Sequence, residues 1–145
     1  VTSTSAEPLQ DIAKRYRGTT DDGTLADADL RSRLADHLMD AAAHELTIAR
    51  IITDARGGNV EVSATASILK NSATDVAQTR AELMVEIMGS QGLGWEPGEY
   101  TEEEARTVRE WLGGKSMSIY GGSYEVQKNI ISKNILGLPE TTQKG

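Results

Sequence analysis

The sequence predicts an all-α fold, an up-down four-helix-bundle-like domain with long antiparallel helices. Two stretches, from about Ala28 to Arg56 and from about Val62 to Met88, contain no Pro or Gly and carry apolar residues at steps of three and four. Glycines follow both, at Gly57-Gly58 and Gly89, where a residue without a Cβ ends a helix at little cost. No β-type alternation of useful length occurs, and no internal repeat is visible.

Composition narrows the possibilities further. A chain of 145 residues fits one domain with a real core. With 15 Lys plus Arg against 22 Asp plus Glu, the net charge of -7 argues against a nucleic-acid groove or an anionic membrane surface. There is no Cys, so disulfides and thiolate metal sites are excluded. The longest apolar runs are too short to span a bilayer, and VTSTSAEPLQ lacks the pattern of a signal peptide, so a soluble, cytoplasmic chain is expected without membrane insertion. The start at Val1 without Met suggests a fragment of a longer protein, cut either in the cell or by design. Phe is absent and aromatics make up 4%, which leaves Leu, Ile, Val, Met and Ala to build a core of closely packed helices.

The elements follow in order. Residues 1–26 read as a partly mobile N-terminal segment with a short helix, opened by Pro8 and carrying Leu9, Ile12, Ala13 and Tyr16 at helical spacing until Gly18. The stretch GTTDDGTLAD is a loop, and Asp27 or an earlier Thr can cap the next helix. Residues 27–139 form the main domain. Its first long helix shows Leu30, Leu34, Leu38, Ala41, Ile48 and Ile52 on one stripe, and its second Leu69, Ala73, Val76, Leu83 and Ile87. The short connection GGNVE makes the two antiparallel. After a Gly-rich loop from Gly89 to Gly98, TEEEARTVREWL reads as a capped helix with acids in its first turn, broken by Gly113-Gly114. Ser123 is expected to cap a last helix with Val126, Ile130, Ile131 and Ile135 on its apolar face, and residues 140–145 are a polar tail.

Chemistry concentrates at IYGGSYEVQKNIISKNILGLP, residues 119–139. Two glycines permit close approach of a ligand or of backbone, and the free N–H groups at a helix start can meet an anion or a carbonyl. A plain helix–helix corner would use the same residues. This stretch resembles the acyl-CoA dehydrogenase family, whose last helix is announced by I-Y-E/G-G-T-S-E-I-Q followed by I-I and L-G-L-P. ELMVEIMGSQGLG, residues 82–94, is similar to the same family's Q-x-x-G-G-x-G-Y stretch, and the likeness extends over the helical pair from Asp27, including SILKNSATDVAQ.

The resemblance implies the family's four-helix C-terminal domain, normally preceded by a helical and a small β domain, with flavin adenine dinucleotide (FAD) held between subunits. It implies α,β-dehydrogenation of an acyl-CoA, with a proton leaving the α carbon and a hydride the β carbon. Electron-transfer flavoprotein or a similar acceptor and a homo- or hetero-oligomer come with that reading. By the same resemblance the cofactor contacts fall on Glu86, Ile87, Met88, Gly89 and Ser90, and on Ser123, Tyr124 and Glu125; main-chain N–H groups of Gly121 and Gly122 lie near the thioester. Glu125 also serves as a dipole-compensating acid at its helix start.

The chain departs from the family at three places. Gly121 stands where a common form carries its catalytic Glu, so no catalytic residue is assigned. Glu86 replaces a Gln, exchanging a donor for an acid that accepts only. No Arg-x-x-Phe-Gly element is found. These departures keep two alternatives open: a non-catalytic partner subunit of a heteromeric enzyme, and a helical interaction domain without a ligand.

Two smaller groups complete the inventory. His37, Asp40 and His44 share a helix face, but with no fourth ligand and no HExxH motif they read as an interhelical polar face, and no metal is assigned. Trp95, Trp111 and Tyr120 could line an acyl pocket, while the two Trp also suit partial core anchors.

Overall fold

A computed structural model describes residues 7–58 and 62–139. It contains α1 (Leu9–Arg17), α2 (Ala28–Arg56), α3 (Val62–Met88), α4 (Glu102–Gly114) and α5 (Tyr124–Asn134), with 3-10 turns at Gly89–Leu93 and Lys115–Ser118. The all-α class is as expected; among the described residues the only β pairing is one isolated bridge, Thr19 with Leu25. The segment before Glu7 and the tail after Pro139 lie outside the described residues, as does most of the GGNVE connection.

Local chemistry sets the helix starts. Pro8 precedes α1, and Asp27 Oδ1 accepts the Leu30 N–H at 3.0 Å at the start of α2. At α4 the caps are reciprocal: Thr101 Oγ1 accepts the Glu104 N–H at 3.2 Å, and Glu104 Oε2 accepts the Thr101 N–H at 2.8 Å. That main-chain bond holds the Glu104 carboxyl below its ordinary pKa, while burial, reinforced by a hydrogen bond to Glu104, raises the hydroxyl pKa of Tyr16.

The Gly-rich loop opens with a 3-10 turn at Gly89–Leu93. Two expectations about the elements fail. Gly113-Gly114 does not break α4, which continues through both glycines before tightening into the turn at Lys115; glycine inside a helix costs only about 1 kcal/mol against Ala. Ser123 sits at the N-cap of α5 without accepting an N–H, and its hydroxyl instead donates to Glu125 Oε2 at 2.6 Å.

The chain divides into two compact units. The first takes the residues up to Met39 together with Gln78–Gly114; the second takes Asp40–Ala77 and the residues from Lys115 onward. In the first, Leu9, Ile12 and Ala13 of α1, Leu25 of the loop, Leu30 and Leu34 of α2, and Leu83 and Ile87 of α3 form one apolar cluster, with Tyr16 and Met84 packed against it. Among the described residues every buried hydrophobic side chain belongs to this unit, whereas the buried side chains of the second are Ser67, Thr74 and Gln127. The apolar stripes therefore end differently than the spacing suggests. Leu38, Ile52, Val126 and Ile135 are exposed, as are Leu46, Ile119, Leu136 and Leu138.

Leu30 is fully buried at the centre of the apolar cluster. Leu30→Ala is expected to lower the unfolding free energy by about 2–5 kcal/mol in urea titrations. A loss under about 1 kcal/mol would mean that the cluster is not close-packed.

Candidate functional site

The first candidate stretch closes α3 in the first unit. Arg33 of α2 grips both carboxylate oxygens of Glu86, through Nη1 at 2.6 Å and through Nη2, and its Nε also pairs with Asp29 at 2.8 Å. Bidentate pairing of this kind fixes a carboxylate in orientation as well as in charge. The hydrogen bonds from Arg33 hold Glu86 below its ordinary pKa, and those to Glu86 and Asp29 push the guanidinium upward. Because the folded-state value of Glu86 is depressed, the stability from this pair is present above about pH 4–5, and it is lost as pH falls through that folded value.

Arg17 donates to the Glu86 carbonyl, and its guanidinium lies beside Gly89, whose φ of 57° favours glycine. Ile87 and Met88 turn their side chains into the interior. Ser90 alone among the five expected contacts presents an exposed side chain without a bond inside the chain.

The second stretch turns the chain into α5 in the second unit. Gly121 and Gly122 have φ of 66° and 98°, so two successive residues occupy backbone that side-chain-bearing residues rarely adopt. The Gly122 N–H donates to the Ile119 carbonyl at 3.2 Å, and Gln127 Nε2 donates to the Gly121 carbonyl. A Cβ on Gly121 would meet nothing within 4 Å, so open space lies over that residue.

Tyr124 points to α3 rather than toward the turn. Its hydroxyl donates to Asp75 Oδ1, and its ring lies 5.3 Å from Lys70 Nζ, which also reaches the Ser118 carbonyl at 3.5 Å. Burial first, and then the Asp75 hydrogen bond, raise the Tyr124 pKa to about 12. Glu125 is exposed, and the Ser123 hydroxyl holds its carboxyl below the ordinary value.

The expected site residues are thus present in ordered backbone, but most of their side chains are engaged within the chain. Arg33, Lys70, Asp75 and Gln127 went unread in the sequence. Gln127 alone left a signal there, being an amide on a helix face shared with Ile130 and Ile131. Trp95 is 52% and Tyr120 70% exposed, so neither is a core anchor, while Trp111 is half-buried. His37 is buried, and His44 Nδ1 lies 2.8 Å from Ser72 Oγ across to α3. No group of three metal-ligating side chains occurs among the described residues.

Comparison with known proteins decides the family. The family described as acyl-CoA dehydrogenase, C-terminal domain, matches residues 3–136. The chain belongs to this family. Two curated relatives, both named acyl-CoA dehydrogenase IpdE1, match over 58 residues: one from Mycolicibacterium smegmatis at 41% identity and one from Mycobacterium tuberculosis at 40%. Each match covers 40% of this chain and only 14% of the relative. A chain in the crystal structure of the ChsE4-ChsE5 complex from Mycobacterium tuberculosis has a TM-score of 0.71 at 23% identity, covering 92% of this chain and 34% of that one. At that identity the likeness speaks for the fold. No helix among the described residues is long and apolar enough to cross a membrane.

Since the raised pKa of Tyr124 belongs to the folded state, the stability from its hydroxyl is present below about pH 10 and lost as pH rises through about 12. Ultraviolet titration of the folded protein is expected to show one tyrosine ionising near pH 12, lowered in Asp75→Asn. If Asp75→Asn leaves that ionisation unchanged, Tyr124 is not bonded as described.

Proposed function

We propose that this chain serves as the C-terminal helical domain of an FAD-dependent acyl-CoA dehydrogenase, the reaction being α,β-dehydrogenation of an acyl-CoA thioester. The observation that carries the reading is the corner before α5, where two successive glycines, Gly121 and Gly122, take left-handed backbone directly ahead of a helix start and Gly121 is exposed. A thioester needs such a place, because its carbonyl must come within hydrogen-bond reach of main-chain donors for the α proton to become acidic.

The fit to FAD runs through the main chain and exposed polar tips rather than through buried side chains. In the first unit Ser90, and separately in the second unit the N–H groups opening α5 at Tyr124 and the Glu125 carboxylate, are each available to an FAD. An ionised carboxylate accepts from hydroxyls and repels phosphates, so Glu125 suits the sugar hydroxyls of a nucleotide. FAD, when bound, accepts the hydride that leaves the β carbon. The chain's own part is to hold the thioester at Gly121, and in the first unit Glu86 stays paired with Arg33. Gly121 has no side chain to take the α proton, so the base comes from a residue outside the corner. The exposed apolar side chains of the second unit support work within a homo- or hetero-oligomer. An electron-transfer flavoprotein or similar acceptor is the redox partner in this reading.

A second reading has a specific observation in its favour. The Arg33–Glu86 pair and the bare Gly121 suit a partner subunit that completes the site of another chain without supplying the base.

The experiment is to follow the flavin absorption band of the protein in its native assembly on addition of an acyl-CoA. Bleaching is expected, and Gly121→Ala is expected to slow it by about 10²-fold, since the added methyl both enters the space over Gly121 and strains its left-handed backbone, displacing the thioester. A colourless protein that acquires the band only with a second subunit establishes the partner reading. Absence of the band in every combination removes both readings.

A further inference from the structure

We infer that Gln127 is the positioning residue of the corner, and that the two glycines differ in what they accommodate: Gly122 makes room for the Gln127 amide, while Gly121 alone faces the ligand. The ligand in this inference is the thioester of the function proposed above; the clamp itself stands on geometry alone.

The peptide unit joining Gly121 to Gly122 is tied at both ends. Its carbonyl accepts from Gln127 Nε2, and its N–H donates to Ile119 at 3.2 Å. Turning the peptide over would break both bonds together. Consecutive glycines otherwise leave such a peptide free to turn, because they tolerate either sign of φ. Gln127 is 6% exposed, so its amide has little water to bond instead.

Space divides the glycines in the same way. A Cβ on Gly122 would stand 2.9 Å from Gln127 Nε2 and 3.2 Å from Val126 Cγ1, closer than ordinary contact, whereas one on Gly121 would meet nothing within 4 Å. The absence of a side chain at Gly122 is thus required from within the fold. At Gly121, which is exposed, no neighbour in the fold excludes a side chain, and the φ of 66° is what favours glycine. Gln127 touches none of the reacting atoms and acts through the peptide it holds.

Gln127→Glu separates positioning from simple packing. When protonated, the introduced carboxyl donates to the Gly121 carbonyl as the amide does; when ionised, it sets oxygen against oxygen. Burial beside an acceptor raises its pKa, so the clamp forms below that value and fails as pH rises through it. In the protein in its native assembly, KM for an acyl-CoA is expected to match the parent near pH 5 and to rise about tenfold by pH 8. Amide hydrogen exchange over residues 119–127, measured without ligand, is expected to rise in parallel. Gln127→Met is expected to weaken binding equally at all pH. Gly122→Ala is expected to lower Tm, with part of the loss recovered by adding Gln127→Ala. Identical flat pH profiles for Gln127→Glu and Gln127→Met would overturn the clamp, and so would unchanged exchange. Exchange that follows pH while KM does not would keep the clamp and refute the ligand-facing role of Gly121. Failure to bind any acyl-CoA even in the parent would instead strike at the proposed function.

Discussion

The arrangement before the last helix depends on one backbone constraint: two successive residues held at positive φ. Only glycine adopts that conformation cheaply, and the turn it makes decides where α5 begins and which N–H groups stay open. A lone pair of glycines would be loose. Here the peptide between them is bonded on both sides, and the helix that follows is moored to α3 through Tyr124, Asp75 and Lys70. Glycine makes the bend possible, and polar side chains make it a single bend.

The two units of the chain are stabilised in different ways. The first buries Leu, Ile and Ala from α1, α2 and α3 in one cluster, with the Tyr16–Glu104 hydrogen bond tying α1 to α4. The second contains no buried hydrophobic side chain among the described residues, and relies on half-buried contacts and polar links such as His44 with Ser72. Sparse apolar burial is the condition under which segments open locally below the global unfolding energy. The candidate corner lies in that second unit, so the bonds that order it carry more of its stability than they would in an apolar core.

Much of the fold was legible because helix ends follow local chemistry. The C-terminal bounds of α2 and α3 fall directly before the glycines that follow them, and the Thr101–Glu104 cap is visible as a spacing of three. Where local reading failed, tertiary context had prevailed. Gly113-Gly114 remained helical, with Gln78 of α3 donating to the Gly114 carbonyl at 2.9 Å. The site was less legible than the fold for the same reason. Motif resemblance located Glu86 and Tyr124, but what their side chains do is set by Arg33 and Asp75, which lie 53 and 49 residues away in sequence. A periodicity argument cannot see such pairs. Expected cofactor contacts therefore include side chains that bond within the chain, leaving main chain and exposed tips for a ligand.

The most direct measurement is a crystal structure of the native assembly with an acyl-CoA analogue that cannot be dehydrogenated. The thioester is expected to lie in van der Waals contact with the Gly121 Cα, with the Gly121–Gly122 peptide in its present orientation. A thioester bound elsewhere, or a corner filled by the protein's own side chains, would contradict this placement.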